Sequence, residues 1–524
     1  MVVNQAVGNL SVLENQDTPY NSDDNAEHVT TITFKDDDPE CPYNWSKNKK
    51  RFIVATILLT VLNSTLGSSL PSNAIPHIAY DFGVSTDDSN PERVLPISIF
   101  LVGYVFGPLL FGPLSEWYGR RYIILLTFGG YTVSVVGCAL SPDWVSLLIF
   151  RFLGGIFGSA PIAIVGGIFA DIYGEPKTRG RAISYFITTA VCGPLASPIL
   201  AGFVAEASWR WAFWAALIIV GITWGFLVFL PETYGPIILA QRAARLRETA
   251  RKTAKGDVRI YAPIELENKG LHHLVTVVLA RPLKMLFTEM IVTAVCLYLA
   301  IAYAIFYMFF QAYPIVFRGI YGMSPGITGL MFLPVGAGSI LGLGVFILYD
   351  NFLERQRRAN KPWTRNEEMR RLPIACVGGP LFVVGLLWLG WTARSDIHWV
   401  VPFLAGVPLG MGNLFLFIGL LNYLGDAYSI FSASAMSASS CSRSIFGAVL
   451  PLATTPMYHT WGVGWASSFL ALVSLAMTFV PLFFIYYGDA IRERSAFCQM
   501  LKQKQAADAN HTEGSEEKEM TTNV

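Results

Sequence analysis

Two almost uninterrupted apolar runs, Leu95 to Leu114 and Tyr122 to Leu140, flank the ten residues Gly112-Pro-Leu-Ser-Glu-Trp-Tyr-Gly-Arg-Arg121. Each run is long enough to cross a bilayer core as a helix, which takes about 20 residues. The turn between them must be very tight. It sets one acid, Glu116, and two arginines, Arg120 and Arg121, at the membrane surface. Gly112 and Gly119 let two helices approach closely and let the chain reverse. A chain with this turn is confined to a polytopic helical architecture, and a short, charged, glycine-bracketed turn points to transport.

The rest of the chain agrees. Of its 524 residues 53% are hydrophobic and only 14% charged, where a soluble protein would carry about a quarter charged residues. Twelve apolar segments can be drawn, at 52–75, 95–114, 121–141, 144–170, 182–204, 210–230, 287–315, 325–349, 374–394, 399–423, 428–454 and 462–487. They are continuous rather than alternating and far longer than the roughly ten residues of a barrel strand. The expectation is an all-α membrane protein with twelve transmembrane helices in two pseudo-symmetric six-helix bundles, residues 51–231 and 287–488, joined by a linker at 232–286.

Lysine and arginine set the orientation. With the N-terminus cytoplasmic, 32 of the 38 fall in inner segments and four (Arg93, Arg210, Arg318, Arg394) in outer ones. Both termini are therefore expected in the cytoplasm. Residues 1–50 and 489–524 are polar, with no signal-peptide core, and read as disordered tails. The linker from Pro236 sets Ile237, Ile238, Leu239, Ala243 and Leu246 among Arg242, Arg245 and Arg247. That pattern fits either a helix lying on the inner leaflet or a solvated basic linker.

Several chemistries are excluded. No G-x-x-x-x-G-K-[ST] loop is present, and no segment outside the apolar runs is large enough for a nucleotide-binding domain. The seven cysteines are scattered, five of them in apolar segments, which supports neither a disulfide framework nor a metal site. No hydrolase constellation appears in the loops. A non-enzymatic secondary transporter is expected, with no cofactor, no metal and no nucleic-acid partner.

Gly112-x-Leu-Ser-Glu-x-x-Gly-Arg-Arg121 resembles the loop 2–3 signature of the major facilitator superfamily. Arg151-Phe-Leu-Gly-Gly-Ile-Phe-Gly158 resembles that family's fourth-helix motif, a membrane arginine followed by glycines, with Gly154 and Gly158 one turn apart. Gly193-Pro194, Pro198 and Gly202 resemble the fifth-helix motif of antiporters, in degraded form: Thr189 and Ser197-Pro198 stand where glycines are usual. Pro42-x-Asn-Trp-Ser46, Pro231-Glu-Thr-Tyr234, Asn422-Tyr-x-x-Asp-x-Tyr428 and Ser432-Ala-Ser-Ala435 are similar to the fungal twelve-helix drug:proton antiporters (DHA1-type). The resemblance covers about 42–490. It implies a gate built on Gly112, Glu116, Gly119, Arg120 and Arg121, with Glu116 meeting the N-terminal end of segment 11 (Tyr428–Ser432).

Single residues sharpen the expectation. Arg151 lies about two turns inside segment 4, and an arginine at a helix centre costs about 2.5–3.5 kcal/mol on insertion scales. A carboxylate, a carbonyl cluster or cavity water must compensate; the side chain is either a coupling group or a snorkelling cation. Arg443 shares a helix face with Met436, Ser439, Ser440 and Gly447, and so looks toward a small-residue seam or the cavity. Membrane acids are few: Asp171, Glu289, Asp350 and Asp426 sit near inner ends and Glu206 near an outer end. Of these Glu289 and Asp426 are the candidates for proton coupling. In segment 7, Tyr303, Tyr307, Phe310/Gln311 and Pro314 share one face. With Asn63 and Asn413 they are candidates for a cavity suited to large apolar or aromatic ligands.

The function expected is export of organic compounds (a drug, toxin or secondary metabolite) by proton antiport. The partners are a small organic substrate, protons and the bilayer, and the protein is a monomer in the plasma membrane, or alternatively the vacuolar one. Two other readings stay open: a proton-coupled importer of a small metabolite, and a transporter-fold receptor.

Overall fold

The computed structural model describes residues 11–13, 30–35, 37–85, 90–205, 207–252, 260–266, 280–365, 367–428 and 431–495, together with 497 and 499. Glu206 and most of the tail beyond 488 lie outside them. Backbone polar groups in hydrocarbon must be satisfied within their own segment, and every apolar run is accordingly a helix. These are α1 (Lys47–Ser69), α2 (Leu95–Tyr118), α3 (Arg120–Leu140), α4 (Trp144–Gly158, resumed as Ala160–Ile172), α5 (Pro176–Val204) and α6 (Arg210–Leu227). The second set is α7 (Met290–Tyr313), α8 (Leu333–Arg358), α9 (Glu367–Thr392), α10 (Gly406–Tyr428), α11 (Ser432–Val449) and α12 (Thr454–Arg494).

Among the described residues 11 stretches are long and apolar enough to cross a bilayer, the last being Ser432–Gly488 with 57 residues. As one straight helix it would run about 85 Å, more than twice a hydrocarbon core. Gly462, at φ 72° and ψ 163°, breaks it; a left-handed φ of this kind favours glycine. The hydroxyls of Tyr458 and Ser467 lie 3.3 Å apart across the break, so the chain reverses there. The stretch therefore crosses twice, and the twelve crossings form two six-helix bundles.

Each bundle has its own core. Phe128, Tyr131, Trp209 and Phe213 anchor the first; Tyr298, Tyr313, Tyr423 and Tyr428 anchor the second. The second core runs on into α2 through Ile97 and Leu101 and into α5 through Ile187, Val191 and Leu195. The bundles thus meet where α2 packs on α11 and α5 on α8. One face of the molecule carries the 112–121 turn and the linker helix Gly235–Lys252 and is called the linker face; the opposite face is the far face.

Residues 30–46, expected within a disordered tail, are tied to the linker. Strand β2 (Thr30–Thr33) pairs antiparallel with β1 (Ser11–Leu13) and parallel with β3 (Ile260–Tyr261). Ile32, Ile260 and Ala262 cover the apolar side of the linker helix at Leu239 and Ala243. Its arginines find carboxylates, Arg242 with Asp38 at 2.5 Å, Arg245 with Glu40 at 3.4 Å and Arg247 with Glu265 at 2.6 Å. The linker helix is thus neither a lipid-facing amphipath nor a solvated coil, because its apolar stripe is already covered by the chain's own N-terminal strand.

Candidate substrate cavity and the contacts around it

A cavity lies at mid-depth between the bundles. From the first bundle it receives Thr65 of α1, Tyr104 of α2 and the α5 stretch from Phe186 to Pro194. From the second come Tyr303 and Phe306 of α7, Asn413 and Phe417 of α10, and Ser440, Arg443 and Ser444 of α11. Its wall is mainly apolar and aromatic with a few polar tips, the make-up of sites that take small organic ligands. Among the described residues, no aspartate or glutamate lines it.

The expected cavity residues divide. Tyr303, Asn413 and Arg443 are on the wall. Tyr307 stands behind Tyr303, hydroxyls 3.3 Å apart, and bonds Ser68 of α1 at 2.6 Å. Asn63 is not at the cavity: its amide donates to Thr223 Oγ1 at 2.7 Å and to Leu59 O at 2.8 Å, which ties α1 to α6. Gln311 is not there either, since its Oε1 accepts from Thr455 at 3.1 Å beyond the far-face end of α11. The helix face read at Tyr303, Tyr307 and Gln311 is real, but only its Tyr303 end opens on the cavity.

The two membrane arginines differ sharply. Arg151 is 3% exposed and gives Nη1 to Gly67 O at 2.7 Å, Nη2 to Ser68 O at 2.9 Å and Nε to Pro96 O at 2.7 Å, with its carbon over the Phe100 ring at 4.3 Å. Gly67 and Ser68 belong to the last turn of α1, whose carbonyls lack intrahelical partners and where the helix dipole favours a cation. Arg151 therefore caps α1 and fastens it to α2; it neither snorkels nor lines the cavity. Arg443 donates Nε to Ser439 O at 3.2 Å in its own helix and lies over Phe417 and Tyr303, 5.3 and 5.8 Å from the ring centres.

Neither candidate coupling acid reaches the cavity. Glu289, 4% exposed, accepts from Tyr428 at 2.9 Å and Ser495 at 2.6 Å on the linker face. Asp426 pairs with Arg371 at 2.7 Å, joining α9 to α10.

Glycine and proline shape the helix crossings. Pro198 has no N–H for the carbonyl of Pro194, four residues back, and Ser69 Oγ of α1 donates to that carbonyl instead at 2.8 Å. Asn73 bridges Pro198 O at 3.0 Å and Pro325 O at 3.3 Å, closing the far face between bundles. A Cβ on Gly193 would press on Thr65, and one on Gly202 would sit 3.0 Å from the Pro325 carbonyl carbon. Gly158 faces Tyr131 and Gly154 faces Phe100 and Ser134. The tightest α2–α4 approach, however, is Gly103 against Gly155, where a Cβ on Gly103 would lie 2.9 Å from the Gly155 Cα.

The 112–121 turn closes on a residue that the sequence reading quoted only as part of a motif. Glu232, after α6, accepts from the backbone N–H of Arg120 at 2.9 Å and of Arg121 at 3.1 Å. A carboxylate from another segment thus caps α3. Gly119 at φ 95° leaves room for it. The Arg120 side chain is buried between Asp171 at 3.2 Å, Ser115 at 2.6 Å and the Tyr234 ring. Glu116 is half-exposed, and the partner the structure gives it is Arg120 at 3.7 Å rather than the start of α11; Ser429 and Ile430 lie outside the described residues. Gly112 faces open space. An ion pair that does join the bundles on this face lies elsewhere: Arg181 of α5 reaches Asp350 at 3.0 Å and Asn351 at 2.6 Å of α8. No periodic signal marks that pair, because its members are 169 residues apart.

Comparison with known proteins agrees with this architecture. The family model of the Major Facilitator Superfamily matches residues 57–451. The chain is 34% identical over 499 residues to the major facilitator superfamily multidrug transporter mdrA of Aspergillus fumigatus, covering 95% of this chain and 80% of that one. It is 38% identical over 468 residues to the efflux pump FUB11 of Gibberella moniliformis, covering 89% and 77%. Among solved structures, the proton:xylose symporter XylE superposes with a TM-score of 0.59 at 17% identity, over 84% of this chain and 96% of that one, a likeness of fold. With its family model matched over most of its length and such relatives spanning nearly the whole chain, the protein belongs to the Major Facilitator Superfamily.

Proposed function

We propose that this chain exports organic small molecules, with the linker face and both termini in the cytoplasm, by rocking the two bundles about the central cavity. The observation that carries the reading is that cavity: mid-depth, bounded by both bundles, aromatic, and fitted with few polar groups. The relatives named as a multidrug transporter and an efflux pump support the outward direction. Uphill export needs an energy source, and the sequence has no nucleotide-binding loop; exchange for protons is the coupling we assign. Since no carboxylate of the described residues lines the cavity, the proton site we assign lies off the substrate wall. The working unit is a monomer and the membrane is the plasma membrane.

The test is transport in proteoliposomes of the purified chain, with a panel of aromatic and aliphatic compounds and an imposed pH gradient. Accumulation driven by the proton gradient, in the direction opposite to proton flow, is expected. Accumulation in the same direction as proton flow would make the protein an importer, and saturable binding without flux would make it a receptor.

A further inference from the structure

We propose that the cavity selects organic anions, amphiphilic molecules bearing a carboxylate or similar acid group, with Arg443 as the residue that recognises the charge. The proposal rests on the export reading and narrows its substrate class.

The two membrane arginines contrast, Arg151 buried and Arg443 part-exposed. A guanidinium has five N–H donors in a planar fork. Arg151 spends its donors on three carbonyls and has no need of a ligand. Arg443 spends one, Nε, on Ser439 O of its own helix. Among the described residues, neither of its Nη groups has a protein acceptor at hydrogen-bond distance, and no carboxylate lies within ion-pair distance. Among the described residues the cavity wall holds no acid, and its one formal charge is this cation. In a low-dielectric site a fixed charge without a counter-charge favours an anion and disfavours a second cation, and the fork matches two carboxylate oxygens side by side.

A second observation is independent. Asn413, 2% exposed and on the same wall, has its Oδ1 buried without a partner. A buried acceptor left unpaired is costly, and a ligand O–H or N–H would satisfy it. Phe186 and Phe306, also on the wall, supply the apolar faces for the body of the molecule. Two of the aromatic faces that could hold an organic cation, Tyr303 and Phe417, are already covered by Arg443, whose charge would repel a second cation.

The experiment uses the full chain in proteoliposomes and matched probes: 1-naphthoate with 1-naphthamide, and 3-hydroxy-2-naphthoate with its amide. Binding and counterflow are measured for each. In the native chain the acid is expected to be preferred by about tenfold over its amide. In Arg443→Gln that preference collapses to less than about twofold, and in Arg443→Lys, which keeps the charge, about half of it returns on a logarithmic scale. The amide's own binding reports whether each variant is folded. Asn413→Leu is expected to weaken the hydroxylated acid about fivefold relative to the plain one. Equal handling of acid and amide by the native chain overturns the proposal, as does an Arg443→Gln variant that still binds the amide and keeps the native preference for the acid. Uphill movement of neutral compounds without any acid would overturn the anion proposal and leave export standing. Movement of nothing in the panel would overturn the export reading itself.

Discussion

Replacing Arg151 by glutamine removes the group that holds the end of α1 against α2. Three carbonyls, of Gly67, Ser68 and Pro96, lose charged donors at 2.7–2.9 Å in a site that is 3% exposed. Hydrogen bonds to a charged group contribute about 1.5–3 kcal/mol each. Against that loss stands the relief of burying a cation at membrane depth, about 2.5–3.5 kcal/mol on insertion scales. The net destabilisation is about 2–5 kcal/mol, and glutamine, with one amide nitrogen, recovers only part of it. Arg443→Gln removes one 3.2 Å bond within a helix and two cation–π contacts, each worth about 0.5–1 kcal/mol at ordinary sites. The same relief offsets these, so its stability change is about zero. The two variants, heated in detergent and scored by the fraction that stays monodisperse on gel filtration, should therefore separate widely: Arg151→Gln melts early and Arg443→Gln with the native protein. If Arg151→Gln is as stable as the native chain while transport is lost, Arg151 is a coupling group and the capping argument is wrong. Arg151→Lys, with one nitrogen facing three carbonyls, should remain closer to glutamine than to arginine.

Three other perturbations test the framework. Arg181→Gln and Asp350→Asn each break the bond between bundles on the linker face; the pair is partly exposed at 31% and 16%, so about 1 kcal/mol is at stake, enough to raise labelling of cysteines placed at the linker-face end of the cavity severalfold, and the charge-swapped double variant should reverse the rise. Gly119→Ala puts a side chain at φ 95° and against the Glu232 carboxylate, costing about 2–4 kcal/mol from backbone strain and the lost cap; Glu232→Ala alone should reproduce about half of the loss in the same melting assay. Asp38→Ala takes from Arg242 its 2.5 Å partner and leaves it the longer contact to Glu40 at 3.8 Å, a loss of about 1.5–3 kcal/mol. Limited proteolysis should then cut the linker helix much faster while the membrane bundles resist as before.

Much of the architecture was legible because hydrocarbon allows so few backbone solutions: apolar length alone located the crossings. The hairpin at Gly462 was legible too, as a gap between two runs, although the helix continues up to it on both sides. Side-chain direction was not. Asn63 and Asn413 are both single amides in apolar helices, and only the neighbouring helix decides that one bonds Thr223 while the other faces the cavity. Arg151 and Arg443 look alike in sequence, yet one sits beside the end of α1 and its spare carbonyls, a fact of tertiary placement. Glu116 drew attention through its motif, whereas the carboxylate that caps the turn, Glu232, stands more than a hundred residues away. The N-terminal strand escaped because four residues of modest apolarity, Thr30–Thr33, become a strand only when β3 and the linker helix supply the other half of a small core.

That small core changes the mechanics of the joint between the bundles. The sequence between them runs to about 55 residues, 232–286, which would be a slack leash. With the linker helix, β3 and the turn to Leu266 fastened to the N-terminal strand, only residues 267–279 separate Leu266 from Ala280 at the start of the second bundle's approach helix. Fully extended, such a segment reaches at most about 45–50 Å. The rocking of one bundle on the other is thus tethered at a pivot on the linker face, and a protein tag or fusion placed at the N-terminus would pull on that pivot rather than trail free of it.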